Sequence, residues 1–328
     1  MKTGSEFKHY IESNQQLPPD CVLGHITWFT VEDAAYDADK MAKDFDRLNL
    51  NADMLPQRIK PDDAFEKASK EVHGVKYKVV GGNEAEILVR EVARDLTSIT
   101  RHMIREVKDS KGRRLLYERV GEFVFTKPVV RNGVVDYPSA RVRCTLDPSL
   151  SDSERIVLEP QVDRFLEAYS RFRDFHDGQK IRGVLRHYLN YLNAVQMKPS
   201  VYFCHASRAD ELERLKEFAD GLVTASMMLL PQADLPRLRQ DVIDAFQAEA
   251  EKELEGVVAS ISKLRSTRSK GIRPDAYMKI KKDYDRVMRK ASEYGRTLQI
   301  GQDKTAGAAE TAMEALMALQ ADVMKGMK

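Results

Sequence analysis

Cys204, His205 and Ser207, in the stretch VYFCHASRADELERL, are of the types that a nucleophile and its base require. A thiol or hydroxyl becomes a useful nucleophile only when a base within hydrogen-bond reach takes its proton. The run VYFC reads as a strand, and adjacent strand residues point to opposite faces, so Cys204 and His205 do not serve each other. A cysteine delivered by an apolar run is a small core residue, and Ser207 stands where a helix beginning near Ala209 needs a cap. His176 and His187 flank the turn in FRDFHDGQKIRGVLRHY, with Asp174 and Asp177 close by. Their spacing matches neither HExxH nor two histidines four apart on one helix. Asp62 and the run Asp109 to Lys111 echo the carboxylates and lysine of a magnesium nuclease, but KDSKGRR is turn chemistry. IGQDKTAG, residues 300–307, lacks both a glycine before Lys304 and a preceding strand, so it is no phosphate loop. These residues assign no catalytic group, no metal and no cofactor. The expectation is a non-enzymatic protein, with a metal-dependent hydrolase around His176, His187 or His205 as the third reading.

Charge is distributed unevenly. Residues 240–256 hold six acidic side chains against Lys252, whereas residues 263–290 hold eleven basic ones against three aspartates. If the two helices that carry them are antiparallel, the connecting RSTRSKGIRP makes a basic tip containing Arg265, Arg268, Lys270 and Arg273. Such a tip suits an acidic protein surface or a phosphate backbone, the latter through counterion release. A second basic grouping, Arg171, Arg173, Lys180, Arg182 and Arg186, is interleaved with Phe172, Phe175, Tyr188 and Tyr191, the mixture that single-stranded nucleic acid exploits. Those aromatics also fall on helical packing stripes, which core packing explains more simply.

The elements that must position these groups follow from pattern. With 328 residues the chain exceeds one typical core, and we expect segments 1–150, 151–233 and 234–328 to form separate units. CVLGHITWFTV reads as a buried strand, followed by helices at YDADKMAKDFDRLNL and KPDDAFEKASKEV. VKYKVV, EAEILVREV, TSITRHMIREV, RRLLYERVGEFVFTK and SARVRCTL, separated by turn residues, predict an antiparallel meander. EAEILVREVARDL fits a helix as well as a strand. Phe165, Tyr169 and Phe172, then Val184, Tyr188, Tyr191 and Val195, predict two helices; SVYFCHA, ADELERLKEFADGL and ASMMLLP complete an α/β extension of that sheet.

The last third carries the strongest periodicity. Val242, Phe246, Ala250, Leu254, Val257, Ile261 and Leu264 line one helix face. Tyr277, Ile280, Tyr284, Val287, Ala291, Tyr294 and Leu298 alternate three and four apart, as do Ala309, Ala312, Leu316 and Leu319 in the next segment, a heptad pattern. The fold class is therefore α+β, with a C-terminal antiparallel helical bundle or coiled-coil arm whose seam includes Phe246, Leu254, Ile261, Tyr284 and Leu298. Gly295, Gly301 and Gly307 mark the expected break between its second and third helices.

A net charge of +2 excludes a global attraction for nucleic acid or acidic lipid, so any such binding must be local. Three widely spaced cysteines, with no CxxC pair, fit a reducing cytoplasm. The polar start MKTGSEFKHYIESNQQLPPD lacks the apolar core of a signal peptide, and no eighteen apolar residues run together, so no membrane partner is expected.

GHITWFTV…YDADKMAKDFDRLNLNADMLPQRIKPDDAFEKAS together with IRGVLRHYLNYLNAVQMKPSVYF resembles an uncharacterised family of bacteriophages and actinobacteria, over the first two thirds of the chain. The resemblance implies a cytoplasmic protein of a bacterial or infected cell and brings no catalytic residue; it also implies an AAA-type ATPase as a partner. Taken with the residues, the expected function is an interaction or adaptor protein acting through the helical arm, on a partner or a second copy. Nucleic-acid binding at the basic tip is the alternative.

Overall fold

The computed structural model describes residues 18, 21–79, 83–131, 134–267, 273–298 and 303–326. It is an α+β protein with antiparallel sheets, whose contacts divide it into two interleaved units. One comprises Asp33–Asp46 and Leu55–Ile181, the other Met1–Glu32, Arg47–Met54 and Arg182–Lys328. This division differs from the three consecutive segments that the sequence led us to expect. The reason is strand pairing: the first strand joins strands that lie far along the chain.

The first of these, here the meander unit, holds β2 (Tyr36–Asp37), most of α1 (Ala38–Arg47), α2 (Pro61–Val72), β3 (Val75–Lys78), β4 (Glu84–Arg94), β5 (Ser98–Lys108), β6 (Arg114–Thr126), β7 (Val129–Arg131), β8 (Val134–Asp136), β9 (Arg141–Leu146), α3 (Asp152–Asp174) and β10 (Phe175–His176). Its main sheet runs β3-β4-β5-β6-β9, every neighbour antiparallel, so the ambiguous EAEILVREVAR is a strand. The β5–β6 turn uses Gly112 at φ +77°, a conformation open to glycine without strain, and Asp109 accepts hydrogen bonds from the amides of Lys111 and Arg113. Phe123 and Phe125, two apart on β6, face the same side and meet α2 and α3 there. Phe123 stacks on Phe165 at 4.2 Å, and Phe65 meets Phe165 edge-on at 5.6 Å. β10 pairs with β2, which ties the end of α3 to the start of α1.

The second, the bundle unit, has a four-stranded sheet in the order β11 (Val195–Lys198), β12 (Val201–His205), β1 (Val22–Val31), β13 (Ala225–Ala233). The strands after residue 190 therefore do not extend the meander; they enclose β1 from both sides, antiparallel to it. β12 and β13 are joined through α5 (Ala209–Asp220), which buries Leu212, Leu215, Phe218 and Ala219. Gly24 is required at the β1–β12 contact, because a Cβ there would overlap the Cys204 carbonyl oxygen. α4 (Gly178–Tyr191) ends before Val195, which lies on β11 and not on the helical stripe. Asn193 at φ +58° closes it, with the Ala194 amide bonded back to Leu189 O at 2.9 Å.

Three long helices complete this unit: α6 (Pro236–Thr267), α7 (Pro274–Leu298) and α8 (Asp303–Gly326). Ion pairs Glu249–Lys290 and Glu253–Arg286 run in opposite residue order, so α6 and α7 are antiparallel. Phe246, Leu254, Ile261, Tyr284 and Leu298 are all buried in one cluster that also contains Leu23, Val195 and Phe203 of the sheet. The bundle is thus seated on the sheet and shares its core. Gly295 and Gly307 lie inside α7 and α8, where they were expected to break them; Gly301 lies outside the described residues. A helical glycine costs only about 1 kcal/mol, less than burying the flanking Tyr294 and Leu298 returns.

Candidate functional site

Cys204 on β12 is fully buried, and burial pushes its thiol up to about 12. His205 follows it on the half-exposed side of the strand, its protonation lowered by burial. The His205 Nδ1 accepts the Ser207 amide at 3.1 Å and lies 3.0 Å from Ser207 Oγ. The expected cap is therefore inverted: the histidine, not the serine, receives the orphan N–H of the turn before α5. A thiol held neutral in the core and a ring engaged by backbone leave this stretch structural.

His187 is exposed on α4, while His176 is buried on β10. Burial and then the charges of Lys180 and Arg58 pull His176 down to about 4, so its ring is neutral near pH 7. Among the described residues no group of three or more His, Cys, Asp or Glu side chains is placed to hold a metal ion. None of them forms a helix long and apolar enough to cross a membrane.

The second basic grouping divides between the units. Arg171, Arg173 and Lys180 belong to the meander unit, Arg182 and Arg186 to the bundle unit. Arg171 pairs with Glu71 at 3.1 Å and lies 5.0 Å from the Phe172 ring; Arg173 forms two hydrogen bonds to Asp174. Arg182 donates to Val31 O at 2.8 Å, and Arg186 is exposed. Tyr188 is core, its hydroxyl donating to Glu211 and accepting from the Asn51 amide.

At the far end of the bundle Arg265 pairs with Asp322 of α8 at 2.9 Å, and Arg273 is exposed just before α7. Arg268 and Lys270 lie outside the described residues. The charge contrast read from the sequence has two destinations. Glu249 and Glu253 face inward to Lys290 and Arg286, whereas Asp241, Asp244, Glu251 and Glu255 lie on the solvent face of α6. On α7, Met278, Lys282 and Arg289 share the face opposite the seam and, with Lys281, Asp285 and the partly buried Met288, border a shallow open groove.

The model of a family of unknown function, DUF6744, matches residues 22–325, nearly the whole of this arrangement. The chain belongs to DUF6744. No curated protein and no solved structure matches it. As a DUF6744 member it inherits no activity, so what it does must be argued from its own side chains. Two features of this member were not read from sequence. One is the set of exposed methionines Met313, Met317 and Met324 on α8, which the spacing of four and seven already places on one face. The other is the convergence of Arg58, Lys60, Lys67 and Arg141 with Arg173 and Lys180 around two depressions of the meander unit. These cations come from separate elements, so no local spacing marks them.

Proposed function

We propose that this protein is a non-enzymatic interaction protein that self-associates through its helical bundle. The acidic outer face of α6 in one copy sets against the basic, methionine-bearing outer face of α7 in the other. The observation that supports the reading is the segregation of exposed charge: four carboxylates on α6, against Lys282 and Arg289 on α7, with Lys281 beside them in an ion pair with Asp285 at 2.8 Å. A two-fold arrangement uses each pair of faces twice. Helices of about 25 residues are about 37 Å long and about 10 Å wide. Two such faces per copy supply an area near the roughly 800 Å² per partner of a standard interface. Exposed methionine adapts readily to an opposing surface. A phage or actinobacterial origin, implied by the resemblance in the first two thirds, belongs to the same reading. Nucleic-acid binding at the bundle tip has less support, because Arg265 is already engaged by Asp322.

Sedimentation velocity at about 50 mM and about 500 mM salt tests this, since screening shortens the reach of surface charge over that range. We expect a dimer at low salt, weakened at high salt. Reversing Lys281 and Lys282 to glutamate gives a monomer, and adding Glu251→Lys and Glu255→Lys restores the dimer. A monomer at every concentration and salt, or a dimer indifferent to the reversal, overturns the proposal. Association seen only with added DNA or RNA would move the function to the tip.

A further inference from the structure

Two depressions open on the meander unit and meet at Ile59. The larger, about 670 Å³, lies among Asp39, Arg58, Lys60, Tyr137, Arg141 and the end of α3 at Arg173. The smaller, about 410 Å³, is lined by Lys67, Arg171, Phe172, Phe175, His176 and Lys180, with Asp33 and Asp177 at its edge. Both volumes fall within the range of small-molecule sites, about 300–1,000 Å³.

The charge here is not self-neutralised. Asp39 is engaged by Arg58 at 2.5 Å, and Asp174 by both forks of Arg173 at 2.7 and 2.8 Å. Asp177 accepts the Lys180 amide at 2.8 Å. The ammonium groups remain: among the described residues the Lys60 ammonium has no ion-pair or hydrogen-bond partner. Lys67 has only the face of Phe172, at 5.8 Å. Lys180 reaches no carboxylate and lies 3.5 Å from His176 Nδ1. The neutral His176 ring accepts from that ammonium and leaves its other nitrogen as a donor. Its protonation is depressed first by burial and then by the charges of Lys180 and Arg58, cations of two segments, with Asp177 opposing them. Aromatic surface stands at both ends, with Tyr137 in the larger depression and Phe175 in the smaller.

We propose that this double depression binds a nucleoside monophosphate or diphosphate, its phosphate held by Lys60 and Lys180 and its planar ring laid on Tyr137 or Phe175. A phosphate dianion answers several converging cations through charge-assisted hydrogen bonds, and a base supplies the ring that gives the aromatic walls a purpose. A free phosphate satisfies the first requirement and not the second. The limited volume of the two depressions favours one nucleotide over a strand. This site stands on the meander unit alone and is independent of the self-association proposed above.

Isothermal titration of the full chain with inorganic phosphate, ribose 5-phosphate, adenosine, AMP, ADP and oligothymidylates of increasing length is the test. We expect AMP or ADP to bind more tightly than phosphate, ribose phosphate or adenosine. Lys60→Gln and Lys180→Gln should each weaken that binding by about fivefold or more, as the loss of one charge-assisted bond implies. Both lysines lie outside the folded core, so an unchanged circular dichroism spectrum and melting point are required of each variant. In a separate readout, NMR titration of the His176 ring should show its pKa rising when AMP is bound, because the anion offsets the cations. Failure of every nucleotide to bind, or binding unaffected in the Lys60→Gln/Lys180→Gln double variant, overturns the proposal. Affinity that grows steadily with oligothymidylate length also overturns it, in favour of a strand-binding groove.

Discussion

Lys290 is the most consequential single residue that sequence pattern misread. Its position among basic residues marked it as part of a solvated positive surface, yet on α7 it is 8% exposed and faces α6 and the residue before β11. Its ammonium donates to the Ala194 carbonyl at 2.7 Å and to Glu249 at 3.0 Å, and Glu249 also accepts the Gln196 amide at 3.1 Å. Removing one partner of such a pair strands the other charge out of water. Lys290→Met is therefore expected to cost about 3 kcal/mol in urea unfolding. Adding Glu249→Gln should recover more than about 1 kcal/mol, because it removes the stranded charge while keeping an acceptor for the Gln196 amide. A single-variant loss within the range of exposed ion pairs, below about 1 kcal/mol, would show that the pair contributes nothing beyond its packing.

Among the elements, the helices and meander strands were legible because their apolar spacing is set by local geometry. Tyr284, Val287, Ala291, Tyr294 and Leu298 are buried together since three-four alternation fixes one helix face whatever lies across from it. What lies across was not legible: nothing near Leu23 or Phe203 announces that α6 will pack on them. Glycines show the same limit. Gly24 faces the Cys204 carbonyl at a distance that no side chain tolerates, whereas a Cβ added to Gly256 on α6 or Gly307 on α8 would meet nothing within 4 Å. The same substitution should thus have opposite signs. Gly256→Ala and Gly307→Ala are expected to raise stability by about 0.5–1 kcal/mol each, through helix propensity. Gly24→Ala should lower it by about 1–3 kcal/mol, through overpacking. Thermal unfolding of the three variants checks this, and a neutral Gly24→Ala would mean that β1 and β12 separate at little cost.

At the scale of the whole molecule, chain order and compactness disagree, and that disagreement explains why the expected boundaries at 150 and 233 do not match the compact units. Residues 22–31 are local in sequence to the meander but form one of the two inner strands of the other unit's sheet. Pairing that spans about 180 residues leaves no short-range trace, because a buried strand looks the same whichever sheet receives it. The consequence can be measured. A fragment of residues 182–328 retains β11, β12, β13 and all three long helices, yet it lacks the strand that joins β12 to β13. It should expose two unpaired strand edges and the apolar ends of Phe203 and Phe246, and unfold without a cooperative transition. Fusing residues 21–32 ahead of it through a flexible linker should restore cooperative unfolding, since linker length adds only slowly to the closure entropy. If the fragment melts cooperatively without that strand, then the bundle, and not the sheet beneath it, is what organises this unit, and the far end of the chain folds as an independent body after all.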